Sequence, residues 1–195
     1  MPRQNRVNPF GELIATSARG IFMGNRGVLH DKQGSLTEKR WSHNHWIICL
    51  TAFKDRKRPL MSPGCYTELF FLDEAVALAA GHRPCGLCRH KDYSDFRAAL
   101  GFSGPVSELD RLLHAERAIA RSFAQHRHQA ECDTLPDGTI ILKETPNLLF
   151  GDLMYPVQVD GYGTAQRRTS GIVSVLTPPL SRKALQNGYK PLIAV

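Results

Sequence analysis

The sequence lacks the long apolar segments that membrane insertion and export require. No run approaches the roughly 20 apolar residues of a transmembrane helix, and residues 1–10 contain no apolar core of a secretory signal. Five cysteines are an odd number, which argues against a disulfide framework. We therefore expect a cytoplasmic protein without a membrane partner, whose thiols are reduced and free to bind a metal or to react.

Common catalytic signatures are also missing. The sequence contains no Walker loop, no Gly-x-Gly-x-x-Gly pattern and no His-Glu-x-x-His pattern. Apolar and charged residues make up 42% and 22% of the chain, as in ordinary globular proteins. These absences argue against the familiar nucleotide-dependent enzymes and zinc proteases, and they leave open whether the protein is an enzyme of another kind.

Positive charge is concentrated in the first third of the chain. Residues 1–60 contain 11 Lys and Arg against 4 Asp and Glu, a net charge of +7, whereas residues 61–195 are balanced. Such a basic segment suits the phosphate backbone of nucleic acids, so we predict nucleic acid as a partner. The predicted contacts are Arg26, Lys54, Arg56, Lys57 and Arg58. The alternative is a basic surface that only favours solubility.

The most specific pattern in the sequence is Cys85-Gly-Leu-Cys88. A Cys-x-x-Cys turn places two thiolates side by side, which is half of a typical structural zinc site. An apolar strand over residues 66–71 and a short helix over residues 74–80 precede it. Asp73 is the predicted N-cap of this helix, and Gly81 its predicted end in the left-handed conformation. We therefore predict zinc bound by Cys85 and Cys88.

Hydrophobic patterning predicts an α+β fold with three parts. Residues 1–100 form a basic β-rich part with the zinc knuckle, in which strands 46–53 and 66–71 pair antiparallel because turn residues connect them. Residues 101–133 form a helical segment whose long helix spans 107–130. Residues 134–195 form a small β-lobe closed by a terminal helix that begins near Pro178.

A short internal similarity links two helix ends. Residues 77–84 (Ala-Leu-Ala-Ala-Gly-His-Arg-Pro) match residues 184–191 (Ala-Leu-Gln-Asn-Gly-Tyr-Lys-Pro) at Ala, Leu, Gly and Pro. A glycine that ends a helix and a proline soon after it are common punctuation. We interpret the similarity as a repeated way of ending a helix rather than as a duplicated domain.

The region around the cysteine pair resembles the zinc module of bacterial Ada-type alkyl-DNA repair proteins. Within residues 71–88 the resemblance rests on Glu74-Ala75, Ala80-Gly81, Arg83-Pro84-Cys85 and Cys88. The family pattern is an aromatic strand, a short helix with Glu-Ala, and then Ala-Gly-aromatic-Arg-Pro-Cys-x-x-Cys. This resemblance implies bound zinc and a role in handling DNA. The whole chain also resembles a set of bacterial proteins, a resemblance that implies no function.

The chain departs from the Ada-type module upstream of Cys85. In that family a Cys-x-x-x-Cys pair completes a four-thiolate site, and one of those thiolates accepts a methyl group. This chain has no such pair, so no residue inherits the methyl-acceptor role. The remaining candidate ligands are Cys49, Cys65 and His45. On a straight strand His45 and Cys49 would be about 13 Å apart, so both can bind one ion only if the backbone turns.

A second constellation contains His114-Ala-Glu116. Together with Cys85 and Cys88 these are the residue types of zinc nucleoside deaminases, in which Glu transfers protons beside the metal. The order of the motifs is inverted, and helical spacing directs His114 and Glu116 about 160° apart. Otherwise Glu116 is an acid on an apolar helix face, which predicts pairing with a buried group such as an arginine.

These observations favour a zinc-binding protein that associates with nucleic acid, as in DNA repair or processing, with a mainly structural metal. The first alternative is a zinc-dependent hydrolase or deaminase that uses Glu116 beside a metal held by Cys85 and Cys88. The second is a protein-interaction module whose cysteine pair holds no metal. The number of zinc ions per chain separates this last alternative from the others.

Overall fold

The computed structural model describes residues 2–54 and 59–195. Within these ranges the chain forms a mixed α/β structure of four α-helices and three β-sheets, in which strands predominate. The predicted mixture of strands and helices is confirmed at this level.

The first sheet contains six strands from the N-terminal part of the chain. In chain order they are β1 (Gln4–Val7), β2 (Leu13–Ala15), β3 (Phe22–Asn25), β4 (Ile47–Leu50), β5 (Leu69–Phe71) and β6 (Arg83–Pro84). Their order in space is β2-β1-β5-β3-β4-β6. Because β3 pairs antiparallel with both β4 and β5, the predicted direct pairing of the strands near residues 46–53 and 66–71 is wrong. The turn residues between them indicated a hairpin, but β3 lies between the two strands.

Four helices accompany the sheets: α1 (Glu74–Ala79), α2 (His90–Leu100), α3 (Val106–Arg117) and α4 (Pro179–Gln186). The predicted start of α1 is confirmed, since the Asp73 carboxylate accepts the Val76 N–H at 3.0 Å. Its predicted glycine end is also confirmed, with Gly81 at a φ of 80°. Pro179 opens α4 in the first turn, where its missing N–H costs nothing.

The two similar helix ends have the same backbone hydrogen bonds. After α1 the His82 N–H donates to the Ala77 carbonyl at 2.9 Å, and after α4 the Tyr189 N–H donates to the Ala184 carbonyl at 3.0 Å. Both connections pass through a glycine with positive φ. The interpretation of residues 77–84 and 184–191 as a repeated helix end is therefore confirmed.

Helix α3 is shorter than predicted. It ends at Arg117, and the chain continues into a two-stranded sheet of β7 (Ala118–Ile119) and β8 (Ala124–Gln125). The predicted helix over 107–130 extended the apolar spacing of Leu109 and Leu113 to Phe123. Phe123 instead packs from the hairpin, where its ring lies 4.9 Å from that of Trp41.

The second six-stranded sheet is built from the C-terminal part of the chain. Its strands are β9 (His128–Glu131), β10 (Ile140–Leu142), β11 (Pro146–Phe150), β12 (Leu153–Pro156), β13 (Gln166–Arg167) and β14 (Ile172–Val175). The order is β13-β12-β11-β10-β14-β9, and all pairs are antiparallel. A 3-10 helix, Cys132–Thr134, follows β9.

Helix α1 joins the two halves of the molecule. All six of its residues are buried. Ala77 and Leu78 belong to a core shared with the first sheet and α2 to α4, whereas Ala75 and Val76 belong to a core shared with the second sheet. A helix that is apolar on every side is buried on every side. The division into segments 1–100, 101–133 and 134–195 remains a prediction, and both of these cores cross its boundaries.

Across residues 2–54 and 59–195, no helix combines the length and the apolar composition that crossing a bilayer requires.

Candidate metal centre

Three cysteine side chains converge at one end of the first sheet. Cys49 lies on β4, and Cys85 and Cys88 lie in the turn between β6 and α2. The Sγ atoms of all three lie within 4.8 Å of one another. Strands β4 and β6 pair in parallel, so the turn after β6 comes out beside the end of β4. This pairing brings together thiols that are far apart in the sequence.

Backbone hydrogen bonds fix the shape of the cysteine turn. The Cys85 N–H donates to the Ile48 carbonyl at 2.9 Å, and the Arg89 N–H donates to the Cys85 carbonyl at 3.1 Å. The Leu87 N–H points at the Cys85 sulfur, at 3.4 Å. An N–H directed at sulfur stabilises the negative charge of a thiolate. The turn is therefore arranged for a thiolate at Cys85.

Hydrogen bonds among the three thiols shift their pKa values in different directions. Hydrogen bonds from Cys49 and Cys88, followed by the N–H groups of Cys88 and Leu87, lower the pKa of Cys85 far below that of a free thiol. The same contacts with Cys85 and Cys88, together with burial, raise the pKa of Cys49. These directions favour negative charge at Cys85 over Cys49.

The donor set fits a soft metal ion. A zinc–sulfur bond is about 2.3 Å long, so two thiolates on one tetrahedral zinc ion lie about 3.8 Å apart. This spacing falls inside the 4.8 Å within which the three Sγ atoms lie. Thiolates select zinc and similar soft ions over magnesium or calcium. Cys49, Cys85 and Cys88 can therefore hold a metal ion.

The surroundings combine a buried anchor with an exposed rim. Behind the turn the buried Arg89 guanidinium donates to the Glu74 carboxylate and to the Asp92 carboxylate, each at 2.8 Å. At the surface the side chains of Leu50 and Leu87 are 37% and 58% exposed. The cysteine turn is thus tied to helix α1 on its inner side, and Leu50 and Leu87, which adjoin Cys49 and Cys88 in the sequence, reach the surface.

His45 and Cys65 do not belong to this group of donor atoms. The Nδ1 atom of His45 lies 2.7 Å from the Asp110 carboxylate, which is fully buried and also accepts two hydrogen bonds from Arg83. Cys65 lies in a turn in which its N–H donates to the Ser62 carbonyl at 3.0 Å. The structure therefore brings one of the three upstream candidates, Cys49, to the cysteine turn.

Arg26 lies in the interior rather than at a phosphate-binding surface. It is 1% exposed, and its guanidinium donates to the carbonyls of Gly11 and Ala80 and to the Nε2 atom of His82. Burial lowers its pKa to about 9. A guanidinium held in this way cannot reach a nucleic-acid backbone, so the predicted contact at Arg26 is corrected. The sequence shows that Arg26 is charged, but only the fold shows that its side chain is buried.

The other predicted phosphate contacts belong to residues 54–58, which the sequence predicts as a basic loop. Lys54 is exposed, and its ammonium group lies 5.4 Å from the ring of Phe53. Arg56, Lys57 and Arg58 lie outside the described residues. In the sequence this predicted loop begins five positions after Cys49.

Glu116 is paired with a helix terminus. Its carboxylate accepts the N–H of Leu180 in the first turn of α4, at 2.8 Å, where the helix dipole favours negative charge. Burial raises its pKa, which this hydrogen bond and the charge of Arg182 partly offset. The predicted pairing is therefore found, with a helix N-terminus as the bonded partner. Glu116 is not among the donor atoms gathered around Cys85.

Sequence reasoning missed Asp110 and overrated Glu116. Both acids lie on α3, but Asp110 is 0% exposed and bonds His45 and Arg83. Successive helix residues point about 100° apart, so the apolar position of Leu109 did not indicate that Asp110 is buried. Nothing in the sequence pointed to its partners, because His45 and Arg83 lie 65 and 27 positions before it along the chain.

Comparisons with known proteins found no relatives: no family model matches the chain, and searches of curated proteins and of solved structures gave no match. The resemblance to the Ada-type module therefore remains an expectation from the sequence.

Proposed function

We propose that the protein binds one zinc ion through the thiolates of Cys49, Cys85 and Cys88, and that this metal is mainly structural. The observation that carries the proposal is the convergence of three Sγ atoms within 4.8 Å. Two of these thiols come from a Cys-x-x-Cys turn and the third from a neighbouring strand, an arrangement typical of zinc sites. The resemblance of residues 71–88 to a zinc module supports the same metal.

A metal at this position would join separate elements. It would connect β4 to the turn between β6 and α2, next to the Glu74–Arg89 ion pair. Since such a site does not exist in the unfolded chain, its binding free energy contributes to folding. Structural zinc usually has a fourth ligand. Cys65 is the predicted candidate to test, because His45 already bonds Asp110.

The experiment is metal analysis of the purified protein. We expect about one zinc ion per chain, as a single structural site binds, and loss of that zinc in Cys85→Ser. Cys132→Ser is the matched control, since Cys132 is buried in a different core. A wild-type protein without metal, after refolding with added zinc, would instead favour the metal-free interaction module.

We also propose that the protein associates with nucleic acid. Support comes from the net charge of +7 in residues 1–60 and from the Ada-type resemblance, which implies DNA handling. The four basic residues of the loop, Lys54, Arg56, Lys57 and Arg58, are the proposed phosphate contacts. For four phosphates neutralised on a single strand, log Kd changes with log salt by a slope of about 3.

The test is a salt titration of binding to a labelled oligonucleotide. Replacing all four loop cations by Gln should weaken binding and flatten the salt slope. A control with four exposed cations replaced elsewhere (Arg111, Lys143, Lys183 and Lys190) should behave like wild type. Absence of binding at low salt would refute the association, and equal effects of both variants would refute the role of the loop.

A further inference from the structure

A cleft of about 500 Å³ lies on another part of the molecule. Its walls are the turn between β1 and β2, the side chain of Arg40, and the β7–β8 hairpin with the residues that follow it. None of the three metal-site cysteines lines it. The volume falls within the range of small-ligand sites, roughly 300–1,000 Å³. Together with Leu176, which also lines the cleft, four separate segments of the chain therefore form one ligand-sized cleft.

Two aromatic rings line this cleft, Phe10 and Phe123. The guanidinium of Arg127, which also lines it, lies 5.2 Å from the centre of the Phe10 ring. The Phe123 ring packs edge-on against Trp41, with 4.9 Å between ring centres. Aromatic rings and arginine planes both provide surfaces on which nucleic-acid bases stack.

The charged groups in the cleft favour an anion. Arg40 and Arg127 form no ion pair within the described part of the chain. Arg40 is held by its hydrogen bond to the Thr37 carbonyl at 2.6 Å. The lining contains one acid, Glu12, whose carboxylate accepts a hydrogen bond from Asn8 at 2.8 Å. Two arginines without carboxylate partners thus lie beside two aromatic rings.

The hairpin that forms one wall has an unusual backbone. Arg121 and Phe123 have φ values of 67° and 52°, a conformation that costs side-chain-bearing residues free energy and is often found at binding sites. The hairpin is held by the His126 N–H, which donates to the Arg117 carbonyl at 2.9 Å, and by the packing of Phe123 on Trp41. The fold therefore maintains Phe123 at the cleft despite a backbone cost.

We propose that this cleft binds single-stranded nucleic acid, with bases stacked on Phe10 and Phe123 and phosphates at Arg40 and Arg127. The inference rests on the proposed association with nucleic acid and assigns it a second contact region, formed by residues other than the basic segment 54–58. Bases in a duplex are stacked on one another and are not free to stack on protein rings. The cleft therefore favours single strands over duplexes.

The test is fluorescence anisotropy with a labelled 12-nucleotide single strand and with the duplex of the same sequence, at low salt. Two cleft variants are compared with wild type: Phe10→Leu, which keeps an apolar side chain, and Arg127→Gln. Arg111→Gln removes the same charge from an exposed position on α3 and is the matched control. Circular dichroism of each variant verifies that it is folded.

We expect the single strand to bind more tightly than the duplex. Phe10→Leu should weaken single-strand binding roughly fivefold or more, the lower limit of one base–aromatic stack, whereas Arg111→Gln should have little effect. If both folded cleft variants bind the single strand as tightly as wild type does, nucleic acid does not bind in the cleft, although the association itself stands. Tighter binding of the duplex than of the single strand would also refute the proposed role of the cleft. If wild type binds neither probe, the association and the cleft fail together.

Discussion

Arg26 and Arg117 show how this fold uses buried cations. Their guanidinium carbons each lie 4.1 Å from the ring of the fully buried Trp46. Arg26 donates to the Ala80 carbonyl and Arg117 to the Gly81 carbonyl, just after the end of α1. The last carbonyls of a helix have no partner within the helix and carry partial negative charge. The two arginines therefore complete the end of α1.

Replacing Arg26 by Lys should destabilise the fold. The guanidinium bonds three separate acceptors, and one of them is the imidazole of His82. Burial, together with the charges of Arg26 and Arg117, lowers the pKa of His82, so its neutral ring accepts that hydrogen bond. A single ammonium group cannot reproduce this geometry. We expect a loss of about 2–4 kcal/mol in the free energy of unfolding, from buried acceptors left without donors.

Urea unfolding measures this change, with Arg111→Lys as the control at an exposed position. If the two variants differed by less than about 0.5 kcal/mol, the usual range of a surface substitution, the interior role of Arg26 would be refuted.

At the residue scale, the sequence predicted which residues can bind a metal or an anion better than it predicted where those residues lie in the fold. Cys85 and Cys88 were found because their spacing is a local property, and Cys49 because few thiols were available. Arg26 was assigned to a surface because charge is visible in composition whereas burial depends on distant elements. His45 was a metal candidate until its neighbour was known, and the acid that binds it, Asp110, comes from α3.

Helix α1 also holds the end of the chain through two buried acids. The Glu74 carboxylate accepts hydrogen bonds from the Tyr189 hydroxyl at 2.6 Å and the Leu192 N–H at 3.0 Å. The Asp73 carboxylate accepts the Tyr162 hydroxyl at 2.6 Å and the Ala194 N–H at 3.0 Å. The segment after α4 is therefore fixed to the start of α1, next to the arginine that supports the metal centre.

Removing the Tyr189 hydroxyl tests this connection. Tyr189→Phe keeps the ring, which packs edge-on against Phe96, but takes one donor from the buried Glu74 carboxylate. Hydrogen bonds to charged groups contribute about 1.5–3 kcal/mol, so we expect a loss of that size in chemical denaturation. Tyr155→Phe is the control, since no hydrogen bond of the Tyr155 hydroxyl occurs in the described ranges. Equal stabilities of the two variants would contradict the role assigned to Tyr189.

At the scale of elements, the sequence predicted what local signals determine. Asp73 and Gly81 mark the two ends of α1 through backbone chemistry and have the expected roles. At α4 the proline of the first turn is Pro179, one position after the predicted Pro178, which is the N-cap. The position of β3 between β4 and β5 depends on pairing between distant segments, which no turn residue reports. The end of α3 was missed because Phe123 continues the helical spacing although it belongs to a hairpin.

At the scale of the whole molecule, the described part of the chain contains two six-stranded sheets, and the buried helix α1 contributes to the cores of both. Apolar residues of α1 contribute to the cores on both of its sides, and its Glu74 contacts Arg89, one position after Cys88. The cysteine cluster is therefore attached to the element that both halves share. Metal binding there should stabilise the entire chain and not only the cysteine turn.

Zinc should accordingly raise the midpoint of thermal unfolding, and more so at pH 8 than at pH 6. A metal that binds only the native chain stabilises it by mass action. Contacts with Cys85 and Cys88, and burial, raise the pKa of Cys49, so its thiol is protonated in the metal-free chain and must release that proton to bind zinc. Loss of a proton on binding makes the affinity, and hence the stabilisation, increase with pH.

The measurement is a thermal unfolding series under reducing conditions, with and without equimolar zinc at each pH. Cys85→Ser should lose the zinc-dependent increase at both pH values. Cys65→Ser should leave the zinc response unchanged, because its sulfur is not grouped with the other three thiols. A reduced response would contradict this expectation and make Cys65 the fourth ligand. An equal rise in wild type and Cys85→Ser would show that zinc acts elsewhere, because the proposed centre cannot bind zinc tightly without the thiolate that carries its negative charge.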